Sequence, residues 1–314
     1  MTSIKSILSI ALAVIFITSS ISAEEAMLKS HVKALSSDIG KRNLTYYQNL
    51  ELAAGYVRRE FRKYGYEPQE ETYYIPSGPY RNLPLTNIIA VKEGAAQKNK
   101  VIVIGAHYDT FQDAPGADDN TTGVAAVLEL ARLLRNADIN STVKFIIFPN
   151  EETDLVYKDN EMGSYRYAQG ARQRGEDIEA MICIDMIGYY SDEPGSQKYP
   201  LALKPFYPDK GNFVGICGDF GSYDLVKKTV AEFKKNCDVP SEYMIAPASF
   251  LPQIMQSDHR SFWTFGYSAV WITDTCIYRN PYMHSRNDLY DTLDYKRMSK
   301  VVDCIYRLVL NLGK

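Results

Sequence analysis

The feature that most constrains the fold is an alternation of continuous apolar segments and amphipathic segments that begins near Lys98. Short apolar runs predict buried strands, and apolar residues spaced three to four positions apart predict helices. In chain order they predict a strand at 101–106, a helix at 123–134, a strand at 143–148, a helix at 164–174 and a strand at 181–184. Strands that are apolar along their whole length must be covered on both faces, as in largely parallel sheets. The sequence therefore predicts an α/β fold.

The rest of the chain surrounds this central pattern. Further helices are predicted at 26–35, 50–64, 223–235 and 295–312, and further strands at 72–75, 87–91, 213–217 and 269–273. A polar stretch with several prolines, between residues 189 and 212, indicates a surface excursion and not a linker between two domains. We therefore expect a single mature domain at 24–314.

The first residues differ in composition from the rest of the chain. Lys5 precedes an apolar run at 7–17, and small residues lead to Ala23. This pattern is typical of a secretory signal peptide at 1–23, because the apolar run is shorter than a membrane span requires. We expect an exported protein with no stable membrane insertion after cleavage, and an uncleaved anchor is the alternative.

Charge and cysteine content bound the function further. The formal net charge is −3 and the basic residues are dispersed, so no nucleic-acid surface is predicted. Five cysteines without a Cys-x-x-Cys pair leave at least one thiol free. Cys183 lies in an apolar strand and is predicted to be a small core residue. Cys217 and Cys237 are a candidate disulfide, although the sequence leaves the pairing open.

Five side chains of the types that bind divalent metals occur at informative positions: His107, Asp119, Glu152, Asp185 and His284. His107, Glu152 and Asp185 follow or end predicted strands, and ligands in open α/β sheets collect beyond the carboxyl ends of strands. Two divalent ions carry four positive charges, which three carboxylates and one hydroxide balance. A single ion would leave buried carboxylates uncompensated. The set therefore predicts a dinuclear metal centre.

Two further acids are predicted to act beside the metals. Glu151 is left over as a general base once Glu152 is used as a ligand. Asp109 lies two residues after His107 and can accept a hydrogen bond from the imidazole nitrogen that does not bind metal. We assign Asp109 to the orientation of that ring.

Asp119, the acid pair and His284 each have a simpler alternative. Asp118 and Asp119 precede a predicted helix and could serve only as its cap. The acids at 151–152 could belong to a solvated loop, although they follow an apolar strand. His284 has the weakest local support, because a lone histidine in a loop is seldom a ligand. His259 is its competitor for the metal.

Together these segments resemble metallopeptidase family twenty-eight, the exported co-catalytic zinc aminopeptidases related to glutamate carboxypeptidases. The resemblance runs from about Ile88 to the C-terminus. The segments that carry it are 105–110, 116–123, 151–152, 185–188, 257–259, 282–285 and 291–292. Asn150 departs from the pattern, because glycine is commoner before the acid pair, and 153–162 is longer than usual.

The resemblance implies a three-layer sandwich of zinc-exopeptidase type, with a mixed, largely parallel central sheet flanked by helices. It implies two zinc ions per chain. Asp119 would bridge them, with His284 and Glu152 on one ion, His107 and Asp185 on the other, and Glu151 as the general base.

The implied activity is that of an aminopeptidase that hydrolyses the N-terminal bond of peptide substrates. A glutaminyl-peptide cyclotransferase with one zinc on the same scaffold is the first alternative. A receptor-like ectodomain is the second, and it would be expected to lack several ligands. Apolar residues could line a pocket for a hydrophobic first residue, or could simply be core: Phe250, Leu251, Ile254 and Tyr278.

Overall fold

The computed structural model describes residues 22–152, 159–201, 203–247 and 252–314. Most of the predicted signal segment, 1–21, therefore lies outside the described residues, as does most of the long segment at 153–162. Within the described ranges, no helix combines the length and the apolar character that crossing a membrane requires.

The described residues form one eight-stranded mixed sheet. Its strands are β1 (Gln69–Tyr74), β2 (Pro84–Lys92), β3 (Gln97–His107), β4 (Ser141–Phe148), β5 (Asp177–Ile184), β6 (Val214–Gly218), β7 (Ser241–Ile245) and β8 (Ala269–Thr273). Their order across the sheet is β1-β2-β4-β3-β5-β8-β6-β7. The four central strands, β4, β3, β5 and β8, run parallel, whereas β1, β2 and β6 join antiparallel to their inner neighbours. The predicted mixed, largely parallel sheet is confirmed.

Helices cover both faces of this sheet. They are α1 (Ala23–Lys33), α2 (Tyr47–Lys63), α3 (Gly123–Leu134), α4 (Gly163–Gln173), α5 (Tyr223–Asn236), α6 (His259–Thr264) and α7 (Tyr295–Leu312). In β3, Ile102 and Ile104 pack into the core beneath α1, α2, α3, α5 and α7. Val101 and Val103 point to the opposite face and pack with residues of α4 and α6. The continuous apolar character of β3 follows, because both of its faces are buried.

One strand was not predicted from the sequence. β7 lies at the edge of the sheet, pairs parallel to β6, and has side chains that are half-buried throughout. Its sequence, Ser-Glu-Tyr-Met-Ile, carries neither an apolar run nor a clear alternation. An edge strand buries little surface, so its sequence is weakly constrained.

The parallel strands bring the predicted ligands together at the carboxyl ends of the central strands. His107 is the last residue of β3 and pairs in register with Phe148 at the end of β4. Gly105 of β3 pairs with Cys183 of β5, so Asp185, two residues further on, reaches the level of His107. Asp185 also donates its backbone N–H to Ile272 of β8. The carboxyl ends of these strands therefore frame the candidate site.

The candidate disulfide between Cys217 and Cys237 is wrong. Cys237, at the end of α5, is bonded to Cys304 of α7, with a Cα–Cα distance of 5.6 Å. Cys217 lies in β6 and is a free thiol, as are Cys183 and Cys276. The cause is helix packing: α5 lies against α7, which places the two cysteines side by side. Cys183 is fully buried, as predicted.

Candidate metal centre

The first group of ligand atoms surrounds His107. The Nε2 atom of this buried imidazole lies 3.4 Å from Oδ1 of Asp119 and 3.6 Å from Oδ1 of Asp185. The ligand atoms of the three residues lie within 4.8 Å of one another. One imidazole and two carboxylates at this spacing can hold a divalent ion.

A second group surrounds His284 and includes the same aspartate. Nε2 of His284 lies 3.1 Å from Oδ2 of Asp119 and 2.9 Å from Oε1 of Glu152. Asp119 therefore turns one oxygen toward each group. This is the placement that a carboxylate bridging two ions requires, and all five predicted ligand residues converge on it.

Asp119 is held in this position by a residue that the sequence analysis missed. The carboxylate of Asp288 accepts hydrogen bonds from the backbone N–H groups of Asp118 and Asp119, at 2.9 and 3.1 Å. The capping role is taken instead by Asn120, whose Oδ1 accepts a hydrogen bond from the N–H of Gly123. The alternative that Asp119 only caps α3 is therefore wrong.

Asp109 makes more contacts than its predicted role required. Its Oδ1 lies 3.5 Å from Nδ1 of His107, on the side of the ring away from the ligand group. The two carboxylate oxygens also accept hydrogen bonds from the backbone N–H groups of Glu151 and Glu152, at 3.1 and 2.9 Å. One buried carboxylate thus links the end of β3 to the acid pair after β4.

The backbone conformation at position 150 explains why asparagine can stand there in place of the glycine that is commoner before the acid pair. Its φ angle is +65°, in the left-handed region that glycine adopts most readily and asparagine tolerates better than most residues. The turn it makes directs Glu151 and Glu152 toward Asp109. Asparagine can therefore replace the commoner glycine without changing the path of the acid pair.

Electrostatics show that the residues present fit divalent cations. Burial raises the pKa of Glu151 to about 8, and burial together with the charge of Asp119 raises the pKa of Glu152 well above its usual range. Burial opposes charge on His107, but the carboxylates of Asp109, Asp119 and Asp185 outweigh it and raise the pKa of the imidazole. Without cations the site thus retains protons, which divalent ions would replace.

Unpartnered atoms point to the same conclusion. Oδ2 of Asp119 and Oδ1 of Asp185 are buried and accept no hydrogen bond of good geometry from any residue that the structure describes. Buried carboxylate oxygens are rarely left in this state, because an unpaired buried charge is costly. Both oxygens face the imidazole nitrogens of the two ligand groups.

The two groups open into a cavity of ≈ 370 Å³. Asp119, Glu151, Glu152, Asp185 and His284 line it, together with Gln256, Cys276, Ile277, Asn280, Pro281 and Met283. Glu151 therefore faces the same space as the ligand atoms without belonging to either group. This is the geometry that a general base beside a dinuclear centre needs.

Comparison with known proteins agrees with this geometry. Residues 87–309 match the sequence profile of peptidase family M28. The chain belongs to peptidase family M28. This confirms both the resemblance and the prediction of a metallopeptidase, and the match begins close to the residue at which the motifs began.

Individual relatives of this M28 chain cover nearly all of it. It is 33% identical over 298 residues to the uncharacterised protein YfbL of Escherichia coli, covering 92% of this chain and 88% of that protein. It is 27% identical to leucine aminopeptidase 1 of Fusarium vanettenii, covering 92% of this chain and 74% of that protein.

Solved structures share the fold of this M28 chain. A zinc aminopeptidase from Bacillus subtilis matches with a TM-score of 0.73 and 16% identity, covering 94% of this chain and 96% of that one. A glutaminyl cyclase from Bacteroides thetaiotaomicron matches with a TM-score of 0.70 and 18% identity, covering 91% and 97%. At these identities the matches confirm the three-layer α/β architecture, which both activities use.

The competitor histidine lies outside both ligand groups of the M28 site. His259 is fully buried, its Nε2 donates a hydrogen bond to the carbonyl of Ile254, and its ring stacks on Trp271 with centroids 5.1 Å apart. Burial lowers the pKa of His259 to about 3, which keeps the imidazole neutral. His259 is thus part of the core, and His284 faces the ligands.

A second, apolar cavity of ≈ 90 Å³ adjoins the first and shares Gln256 and Cys276 with it. Its lining includes Leu203, Met244, Ile254, Trp271 and Tyr278. Ile254 and Tyr278 thus occupy the place suggested for a hydrophobic pocket. The other two residues named for that pocket, Phe250 and Leu251, lie outside the described residues.

Proposed function

We propose that this chain is an exported zinc-dependent aminopeptidase, with two zinc ions per chain and peptides as substrates. The observation that carries the proposal is the sharing of Asp119 between two ligand groups, with Glu151 on the same cavity. The relationship to leucine aminopeptidase 1 of Fusarium vanettenii supports the exopeptidase activity.

The protein side chains have separate tasks in this reaction. His107, Asp119, Asp185, Glu152 and His284 would hold the two ions. When bound, zinc supplies Lewis-acid polarisation of a carbonyl and activation of water. The carboxylate of Glu151 takes the proton from the attacking water and returns it to the leaving amine.

Asp109 positions groups that take part in this chemistry. Its carboxylate lies beside Nδ1 of His107 and fixes the backbone that presents Glu151 and Glu152. A displacement of either acid would separate the base from the ligand groups. The second cavity supports a preference for an apolar first residue, because an aliphatic side chain fits beside Leu203, Met244 and Ile254.

The second candidate is a glutaminyl-peptide cyclotransferase, which the shared fold with the Bacteroides thetaiotaomicron cyclase favours. The two candidates differ in metal content and in product. An aminopeptidase cleaves aminoacyl p-nitroanilides that have a free amino terminus, whereas a cyclotransferase releases ammonia from N-terminal glutamine and leaves the peptide bond intact.

The deciding experiment combines both measurements on the purified protein. We expect about two zinc ions per chain by elemental analysis, faster cleavage of leucyl than of lysyl p-nitroanilide, and no cleavage of N-acetylated substrates or after chelation. One zinc per chain, with ammonia release and no p-nitroaniline, would establish the cyclotransferase instead. Amino-terminal sequencing of the secreted protein tests export, for which cleavage after Ala23 is expected.

A further inference from the structure

The metal ligand with the least support from regular structure is His284. It lies between short turns at 276–278 and 290–292, and 34% of its side chain is exposed. His107, by contrast, ends a central strand, and only 1% of its side chain is exposed. A half-exposed ring on a loop needs some other contact to fix its plane.

The usual contact is missing on this histidine. Metal-binding imidazoles generally donate their second nitrogen to a carboxylate or a carbonyl, which fixes the ring. On His107, a carboxylate oxygen of Asp109 lies beside the second nitrogen, Nδ1, at 3.5 Å. Hydrogen bonds from His284 to the described parts of the chain involve only Nε2, on the ligand side.

Phe111 occupies the face of the His284 ring instead. The two rings are stacked, with centroids 4.1 Å apart and an angle of 10° between their planes. A flat stack restricts tilting of the imidazole and leaves Nε2 directed at Glu152 and Asp119. The contact would strengthen when a bound cation makes the imidazole more electron-poor, because aromatic faces attract positive charge.

Phe111 itself is fixed from both sides. The buried side-chain amide of Asn43 donates to the carbonyl oxygens of Thr110 and Gln112, at 2.9 and 2.7 Å. Because these two residues flank Phe111, the hydrogen bonds of Asn43 fix the backbone on both sides of the ring. Asn43 precedes the region that matches the family profile, residues 87–309.

We propose that Phe111 is a positioning residue for His284, which orients the imidazole by stacking where His107 uses a carboxylate. The inference rests on the proposed dinuclear zinc site. The consequence is that the two ions respond differently. Loss of the Phe111 ring lowers the affinity for the ion held by His284 and Glu152, and leaves unchanged the affinity for the ion held by His107 and Asp185.

The test is a zinc titration of the purified protein in competition with a chromogenic chelator, which resolves the two binding steps. Phe111→Ala should weaken one step about tenfold, within the range typical of residues that support a metal ligand, and leave the other within about twofold. Phe111→Tyr keeps a stacking ring and should restore both steps.

Phe220→Ala is the matched control. Phe220 is 66% exposed and follows β6. Because β6 is antiparallel to β8, its carboxyl end lies at the amino ends of the central strands, away from the site. The control deletes the same side chain without touching a ligand. Both of its zinc-binding steps should match those of the unmodified protein.

The outcomes separate this inference from the proposed function. Two zinc ions in the unmodified protein, with Phe111→Ala unchanged or with both steps weakened equally, would overturn the positioning role alone. A folded unmodified protein that binds fewer than two zinc ions would overturn the dinuclear site, and the inference with it. Circular dichroism and melting temperatures of all variants identify any loss of fold.

Discussion

At the scale of single residues, the neighbouring groups give chemically identical side chains different roles. Glu151 and Glu152 are neighbours and both line the cavity, but only Glu152 contacts an imidazole of the ligand groups. His107 and His284 face ligand carboxylates, whereas His31 and His259 are buried and hydrogen-bond neutral groups, a tyrosine hydroxyl and a backbone carbonyl. The surroundings of each side chain therefore decide its role.

Replacement of Glu151 by Gln should separate catalysis from metal binding. The amide keeps the shape of the side chain but cannot accept the proton, so turnover should fall by about 100-fold or more. Zinc content should stay at two ions per chain, because Glu151 belongs to neither ligand group. Steady-state kinetics and elemental analysis check the two halves, and normal turnover with full zinc would contradict the role of general base.

His31 should make the fold sensitive to acid. Its ring nitrogens lie 2.6 Å from the hydroxyl of Tyr56 and 3.0 Å from that of Tyr64, and burial lowers its pKa to about 4. The imidazole of the unfolded chain has a pKa near 6.5, so below that pH it takes up a proton more readily than the buried imidazole does. The contribution of neutral His31 to the free energy of unfolding is therefore complete above pH 6.5 and is lost as the pH falls toward 4. The loss should approach about 3 kcal/mol.

Urea unfolding at pH 7 and pH 4.5, with chelator present at both, measures this dependence. His31→Gln should lose about 2 kcal/mol less than the unmodified protein across the interval. His259, whose pKa is also lowered by burial, is common to both proteins and cancels in the comparison. Equal losses in the two proteins would rule out His31 as the acid-sensitive group.

At the scale of elements, the site is built where parallel strands end, and a disulfide bond away from the site joins two of the helices that cover the sheet. β3, β4 and β5 supply His107, the acid pair and Asp185, because parallel strands end at the same edge. On the helical face, the Cys237–Cys304 bond joins α5 to α7, which packs against α1 and α3.

Cys304→Ser should lower the free energy of unfolding by about 2 to 4 kcal/mol, because the bond closes a long loop in the unfolded chain. The sequence separation of 67 residues places it toward the upper part of that range. Zinc content and kcat should be unchanged, since neither cysteine lines the cavity. Chemical denaturation measures the loss, with Cys217→Ser as the control for a free thiol.

At the scale of the whole molecule, the fold places several buried acids beside the carboxyl ends of the parallel strands, and we expect cations to neutralise them. Burial raises the pKa of Asp185, and burial together with neighbouring acids raises those of Glu152 and Asp288. Arg42 is the largest fully buried side chain among the described residues, and in that part of the chain it donates only to backbone carbonyls and to Thr121. We therefore expect bound ions to contribute to folding as well as to catalysis.

Removal of zinc should destabilise the protein measurably. Ligand linkage gives about 3 kcal/mol for each site that is filled at 100 times its dissociation constant. Chelation should thus lower the melting temperature, and readdition of zinc should restore it. Asp119→Asn should have a lower melting temperature in zinc and a smaller response to chelator, whereas an unchanged response would exclude Asp119 from both ions.

The sequence by itself determined the central strands, the helices that cover them and the five ligand candidates, because these depend on local periodicity and on residue types that follow strands. It also placed Glu151 and Asp109 beside the ligands. Only the tertiary structure decided which side chains meet across long separations: Cys237 with Cys304, Asp288 with the backbone of Asp119, and Phe111 with His284. No local pattern encodes such pairs, because they arise from the packing of helices and loops that lie far apart along the chain.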